Sequence, residues 1–371
     1  MERLERWMQW CRKEAVLCAA FACALVSMLF VPPDAEYRGY VNLQVLCLLF
    51  CLMAVVLGLQ SCGLFELLAQ KLLTGRKSGR RLVLLLVLLP FFTSMLVTND
   101  VALITFVPFG LLVLEAADAK ALAIPVVVLQ TVAANLGSMA TPVGNPQNLY
   151  LYAFYGLNGA QFFRALLPLV LVSLLGLTAA CLCTGKRELR VDFPRPVSLR
   201  SPGRLAVYLA LFGFCLLSVF RLVPYAAVTA GVLAVFLVLD RKLLQRVDYG
   251  LLLTFLCFFV FSGNLGRIAP VRDFLSELLT RGSLLCSVAA SQIISNVPAA
   301  VLLSGFTDDW RGLLAGVNIG GLGTPIASLA SLISFRIYLR QPEARLGRYL
   351  LIFTLANLVG LAVLLPIALL L

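Results

Sequence analysis

The sequence predicts an all-α polytopic membrane protein built as two inverted repeats, each with a re-entrant hairpin and a broken transmembrane helix. Three observations predict it. Of the 371 residues, 61% are hydrophobic and 13% charged, whereas soluble domains carry about a quarter charged residues. The apolar excess runs along the whole chain, so lipid is the solvent for most of it. In two places a pair of short apolar runs meets at a polar tip, and in two others Gly, Pro and amide residues interrupt an apolar run. With a crossing of about 20 apolar residues, the remaining stretches give about nine spans plus the two hairpins.

In chain order, residues 1–31 open with a basic stretch and an apolar run, as a signal peptide would. They lack a small-x-small cleavage site and read as a retained first helix. Spans at 15–31 and 41–59 precede an amphipathic piece at 63–74, which ends in the basic cluster Arg76, Lys77, Arg80 and Arg81. Charge beside an apolar face reads as a helix lying in the interface. The runs 82–97 and 101–114 are only about 21–24 Å long as helix, short for a full span. Between them sit Thr98, Asn99 and Asp100. This is the first hairpin, 82–114, with its tip near mid-membrane, where irregular backbone survives only inside protein or beside water.

Residues 122–154 are too long for one plain span. Asn135, Gly137, Ser138, Thr141, Pro142, Gly144, Asn145, Pro146, Gln147 and Asn148 interrupt them, and that composition unwinds a helix. A span at 166–184 closes the N-terminal half, 1–184. Residues 185–204, rich in Arg, Pro and Ser, form a cytoplasmic linker. The C-terminal half, 205–371, repeats the order. Spans at 205–221, 225–239 and 249–266 lead to an amphipathic stretch at 267–281. A second hairpin, 283–306, has Ser295, Asn296 and Val297 at its tip. A second broken helix, 312–336, is interrupted at Asn318, Gly320, Gly321, Gly323, Thr324 and Pro325, before a last span at 349–371.

The interruptions share the pattern N-x-G-x-x-x-T-P: Asn135, Gly137, Thr141 and Pro142, then Asn318, Gly320, Thr324 and Pro325, 183 residues later. Loop charges give the two copies opposite senses. With the N-terminus in the cytoplasm, 23 of the 30 Lys and Arg fall on that side and 7 on the other, so the C-terminus lies outside by the positive-inside rule. The first hairpin then enters from the cytoplasm and the second from outside. That is an inverted-topology duplication, in which paired interrupted segments point to a binding site. The net charge of +12 sits in short loops and reports orientation, so a nucleic-acid partner is not expected.

There is no histidine, and most of the 11 cysteines lie in apolar runs with no CxxC pair. Zinc and disulfide frameworks are therefore not expected, nor the common nucleophile–base sets. No acid pair supports an enzyme. Gly75-Arg76-Lys77-Ser78 lacks the phosphate-loop spacing G-x-x-x-x-G-K-[ST]. At the breaks, unwound backbone offers carbonyls to a cation and N–H groups to an anion, and half-helix N-termini add about half a positive charge each. Asn99, Asn135, Asn296 and Asn318 supply donors and acceptors. Asp100 is the one acid placed deep in an apolar region. It reads as an ion- or proton-handling group, with capping of the helix that starts there as the plainer role.

The tip 98–108 (TNDVALITFVP) and the segment 134–148 (ANLGSMATPVGNPQN), with 295–298 and 316–325 in the second half, resemble the ion transporter superfamily. That group joins arsenite permeases, citrate transporters, divalent anion:sodium symporters and sodium/proton antiporters. The resemblance implies two cation sites, Na⁺ or H⁺ being the coupling ion. One would use Thr98, Asn99, Asn135, Gly137 and Ser138; the other Ser295, Asn296, Asn318 and Gly320. It places Thr141, Pro142, Thr324 and Pro325 at the solute, with Asn145 and the two tip asparagines beside them. It also implies a homodimer in the cytoplasmic membrane whose transport domains move like elevators. The dicarboxylate symporters read Ser-Asn-Thr at both tips, whereas the third positions here are Asp100 and Val297, followed by Pro298. The expectation is a secondary active permease for an anion or oxyanion, such as a carboxylate or an arsenite-like solute. The alternative is a cation/proton antiporter of the same fold using Asp100. A channel on the same fold would conduct without saturation or gradient coupling.

Overall fold

The computed structural model describes residues 14–184, 188–191 and 199–371. Half of the expected linker and the basic stretch before Glu14 lie outside the described residues. Helices α1 (Ala15–Phe30), α2 (Leu43–Ser61) and α3 (Leu64–Leu73) come first. Helices α4 (Gly79–Val97) and α5 (Asn99–Ala116) follow, with only Thr98 between them. They are 19 and 18 residues long, longer than the apolar runs foretold. Ser78 caps α4 through the N–H of Arg81, so helix begins within the basic cluster. At the other end α5 continues through Glu115. Both helices are long and apolar enough to cross a membrane, so the shortness from which a hairpin was expected is not observed.

The first interrupted segment is α6 (Ala123–Ser138), a non-helical stretch, then α7 (Pro146–Phe154). Asn145 caps α7 by accepting from the N–H of Asn148, and Pro146 sits in its first turn, where a missing N–H costs nothing. Helix α8 (Gly159–Leu182) starts on a capping box made by Asn158 and Gln161. The second half holds α9 (Pro202–Val219), α10 (Tyr225–Leu239), α11 (Tyr249–Arg267), α12 (Ala269–Ile294) and α13 (Asn296–Ser304). The amphipathic stretch expected at 267–281 and the first arm of the second hairpin are one continuous element, α12, kinked at Gly282. The second interrupted segment is α14 (Trp310–Ile319) and α15 (Leu329–Leu339), and α16 (Leu346–Leu370) ends the chain. A short antiparallel ribbon pairs β1 (Gly75–Ser78) with β2 (Glu188–Val191). It was not foreseen, and it ties part of the linker region to the start of α4.

Eight helices among the described residues are long and apolar enough to cross a membrane. Their outer faces are greasy: Leu29 is 80% and Val238 83% exposed. Inside, Asn99, Gln130, Thr131, Asn135, Asn145, Asn148, Asn318, Ser331 and Asn357 are buried. Apolar surface outward and amides inward is the distribution lipid selects, because it is polar groups that cannot face hydrocarbon. The fold is that of an integral membrane protein.

The packing exchanges segments between halves. Helix α6 lies against α4 and α5, and α14 against α12 and α13, each break beside its own tip. The second segment of each crosses over: α7 packs on α13 and α14, whereas α15 packs on α5 and α6. Glycine makes the close approaches. A Cβ on Gly137 would lie 2.1 Å from the Phe91 carbonyl oxygen, and one on Gly320 would lie 2.7 Å from Ser291 Oγ. Small residues let helix backbones approach in this way where no hydrophobic drive acts between helices.

Candidate functional site

Both tips turn on a single non-glycine residue in an unusual conformation. Thr98 has φ 74° and ψ 149°, and Ser295 has φ 72° and ψ 154°. Such backbone costs about 1–3 kcal/mol for an L residue and persists only where its surroundings enforce it. The following asparagine secures each turn. Asn99 Oδ1 accepts from the Asp100 N–H at 3.0 Å, and Asn296 Oδ1 from the Val297 N–H at 2.9 Å. The Asn296 N–H itself donates to the Ala327 carbonyl at 3.0 Å, joining the second tip to the residue before Ser328, where α15 begins.

From the first tip a chain of amides runs through the centre. Asn99 Nδ2 donates to Asn135 Oδ1 at 3.0 Å, and Ser328 Oγ donates to the same oxygen at 3.0 Å. Asn135 Nδ2 in turn donates to Ser331 Oγ at 3.3 Å and to the Gly321 carbonyl at 3.5 Å. Ser138 Oγ donates to the Asn135 carbonyl at 2.9 Å and accepts from Asn145 Nδ2 at 3.2 Å. Asn145 Nδ2 also reaches Asn318 Oδ1 at 3.1 Å, and Asn318 Nδ2 donates to Asn148 Oδ1 at 2.6 Å. One polar network therefore crosses between halves at Asn135–Ser328, Asn135–Ser331, Asn135–Gly321, Asn145–Asn318 and Asn318–Asn148. Thr131 Oγ1 adds a further crossing to Ser334 Oγ at 2.7 Å.

The network gathers Asn99, Asn135, Ser138, Asn145 and Asn318 directly. Asn296 joins through close packing, since a Cβ on Gly321 would sit 3.0 Å from its Nδ2. Ser295 Oγ reaches the Ala327 carbonyl at 3.4 Å. Thr141 Oγ1 donates to the Met95 carbonyl of the first tip arm, and Thr324 Oγ1 donates to the Gln292 carbonyl of the second at 3.3 Å. The side chains at the two TP positions differ in setting: Pro142 is buried and Thr141 partly so, whereas Thr324 is exposed and Pro325 half-buried.

Asp100 does not cap α5; Asn99 accepts the bond a cap would take. One carboxylate oxygen of Asp100 is buried without a hydrogen-bond partner. It borders a cavity of about 610 Å³ that also reaches Thr98 and Asn145, and that runs to Glu14, Arg246 and Asp248. The N-termini of α5, α7, α13 and α15 all meet this network, so their positive dipole ends face a common polar centre.

The sequence gave no site role to Ser328, Ser331, Asn148 or Gln292. Asn148 was read only as part of the interruption, one turn after Asn145. Gln292 was readable as an amide three residues before a tip. The serines become visible only once α15 is seen to cross onto α6.

Comparison with known proteins gives the site its family. Residues 7–307 match the citrate transporter family. An uncharacterized transporter of Methanocaldococcus jannaschii is 32% identical over 93% of this chain and 94% of its own. The inner membrane protein YbiR of Escherichia coli is 31% identical over 83% of each chain. A silicon efflux transporter of Oryza sativa is 33% identical over 39% of this chain and 29% of its own. These names are those of transporters and membrane proteins, not enzymes, and the chain belongs to the citrate transporter family, within the ion transporter group of membrane permeases.

Proposed function

We propose that this protein is a secondary active permease for an anion or oxyanion, such as a carboxylate or an arsenite-like solute, coupled to Na⁺ or H⁺. The carrying observation is the continuous amide and hydroxyl network that joins both breaks, with four helix N-termini directed at it. Helix N-termini favour an oxyanion, and asparagine amides offer it donors without fixed charge. The family's name points to citrate, and the rice relative's name to silicon. Both are oxygen-rich solutes that such donors suit. Asn99, Asn145, Asn296, Thr141 and Thr324, with Pro142 and Pro325, line the solute path. Thr98, Asp100, Asn135, Gly137, Ser138, Ser295, Asn318 and Gly320 handle the coupling ion.

On this reading α4–α5 and α12–α13 are re-entrant hairpins, and the halves 1–184 and 205–371 are inverted repeats joined by the linker 185–204. The protein lies in the cytoplasmic membrane as a homodimer, N-terminus in and C-terminus out. Hairpins and breaks move together as an elevator. The matched dihedrals of Thr98 and Ser295, and the exchange of α7 and α15 between halves, support the duplication.

Proteoliposomes test it. Labelled citrate, arsenite and silicic acid are offered in turn under an imposed Na⁺ or pH gradient, with matched vesicles lacking protein. Uphill, saturable uptake of one of them supports the reading. Flux of none, or non-saturating conduction, removes it. The unpartnered Asp100 oxygen favours one rival, a cation/proton antiporter. That rival requires proton release on adding cation with no solute present, and Asp100→Asn must abolish it.

A further inference from the structure

A second cavity, of about 480 Å³, lies away from the amide network, where α5 and α15 end and α6 and α16 begin. The helices α5 and α16, and the stretch Lys120–Ser138 that contains α6, are each long and apolar enough to cross a membrane. Their shared end marks a boundary between hydrocarbon and headgroups. The cavity has an apolar side formed by Leu111, Leu114 and Ile124, and a charged side. The charged side holds Lys120, Arg345 and Arg348 against Glu115 and Glu343. Lys120 is spent on Glu115, with Nζ 2.9 Å from Oε1. Neither guanidinium has an ion pair or a hydrogen bond among the described residues. One net positive charge is left facing the cavity.

The two arginines stand where a helix least favours them. Arg345 is the N-cap of the 25-residue α16 and Arg348 lies in its first turn, with no acidic residue and no side-chain cap there. A helix N-terminus is already positive, so cations there repel it unless an anion lies between them. The N–H groups of Leu346, Gly347 and Arg348 precede the first helical bond, from the Tyr349 N–H to the Arg345 carbonyl. A Cβ on Gly347 would meet nothing within 4 Å, so the backbone there is open to an approaching group. Tyr338 supplies an independent sign. It is 3% exposed and borders the cavity, and its ring stacks on Tyr349 at 4.8 Å. Its hydroxyl accepts from the Arg345 N–H at 3.0 Å, and among the described residues nothing accepts the hydroxyl hydrogen. A buried phenol with a hydrogen to give, two unpaired guanidiniums and free N–H groups form a donor set without an acceptor.

We propose that this cavity holds the phosphodiester headgroup of an anionic phospholipid. Arg345, Arg348 and Tyr338 would contact its phosphate, and its acyl chains would run along the exposed Leu346 and Leu112 at the rim. A phosphodiester carries the single negative charge that the cavity lacks. The occupant would join α5 and α6 of the first half to α15 and α16 of the second. This rests on membrane placement and not on the transport reading.

The full chain, delipidated in nonionic detergent, is unfolded by heat across a titration of phosphatidylglycerol, with phosphatidylcholine and glycerol 3-phosphate in parallel. A ligand of the folded state raises the transition by mass action. Wild type is expected to respond saturably to phosphatidylglycerol and to neither of the others. Arg345→Gln with Arg348→Gln should weaken the phosphatidylglycerol midpoint at least about tenfold. In phosphatidylcholine the same variant should be as stable as wild type or slightly more so, since charges opposed to the helix dipole are gone. Arg336→Gln with Arg340→Gln removes equal charge from exposed positions outside the cavity and should respond as wild type does. Equal responses to the two lipids would overturn the proposal, and so would equal losses in the two double variants. A glycerol 3-phosphate effect matching that of the lipid would assign the cavity to a soluble phosphate instead. Instability of Arg345→Gln with Arg348→Gln in phosphatidylcholine would make the arginines structural and overturn it as well.

Discussion

Asn135 is the residue on which the two halves most depend, and its removal has a calculable effect. Its Oδ1 accepts from Asn99 and Ser328, both at 3.0 Å, and its Nδ2 makes two longer contacts at 3.3 and 3.5 Å. Side-chain hydrogen bonds inside membrane proteins average about 0.6 kcal/mol and reach about 1.7. The two short bonds therefore sum to roughly 1–3 kcal/mol, and the two long ones add little. In Asn135→Ala the hydroxyl of Ser328 can turn elsewhere, but the Asn99 amide, beside the strained Thr98, loses its partner. Thermal unfolding in detergent should fall by about 2–6 °C, on the order of 2 °C per kcal/mol for a chain of this size. Solute flux should fall at least about tenfold, the equivalent of about 1.4 kcal/mol. Asn158→Ala is the matched comparison. It breaks the capping box of α8, whose hydrogen bonds join only Asn158 and Gln161, and costs about 0.5–2 kcal/mol. Stability should drop similarly while flux per folded molecule stays at the wild-type level. If both variants lose flux in proportion to stability, the network carries no special role in transport and the argument fails.

Other perturbations have equally definite outcomes. Gly137→Ala would put a methyl 2.1 Å from the Phe91 carbonyl, whereas Gly176→Ala meets nothing within 4 Å. The first should cost at least about 1–3 kcal/mol by overpacking and the second almost nothing, read from unfolding temperature. Ser295→Gly relieves a positive φ at the second tip and adds chain freedom, two effects of about 1 kcal/mol that oppose each other. Stability should hold or rise while transport slows, and a clear loss of stability would count against strain at the tip. Arg267 bonds Asp34 at 2.8 Å and holds its carboxyl below the usual carboxylate range. A lowered folded pKa stabilises above the unfolded value of about 3.9 and is lost as pH falls below it. Asp34→Asn should therefore differ from wild type in stability above about pH 4 and converge with it in stronger acid; divergence in acid would contradict the pairing.

Much of this arrangement was readable because a helix announces where it cannot continue. Gly, Pro and Asn at 135–146 and 318–325 mark breaks, and a helix does stop in each stretch. However, α6 runs on through Ser138 and α14 through Ile319, so Asn135, Gly137, Ser138 and Asn318, read as interruptions, are helical residues just before the breaks. The polar tips at Thr98 and Ser295 were legible for the same reason. What the sequence withheld is which surfaces meet. Helical periodicity gives no sign that α15 crosses to α6, so Ser328 and Ser331 looked like ordinary small residues of a span. The helix limits at Gly79 and Ala116 were underestimated because apolar runs end where the interface begins, while hydrogen-bonded backbone continues through it. Gln292 was passed over because an amide in a serine-rich arm resembles general polarity; only its bonds to the carbonyls of Gly320 and Leu322 give it meaning. Asp100 was recognised as unusual, but its lack of a partner depends on Asn99 taking the capping bond.

The central claim is that the two breaks meet at one polar centre whose rearrangement moves the solute. The most direct test is a paired substitution, Asn145→Cys with Asn318→Cys, in a background whose native cysteines are replaced. These side chains are 3.1 Å apart, Nδ2 to Oδ1, and belong to opposite halves. Mercuric ion, which bridges two thiolates across the wider gap that two hydrogen-bonded amides leave, is predicted to join them within a single chain and to stop flux, with excess thiol restoring it. Failure to join, or full-rate transport by the joined protein, would contradict the account.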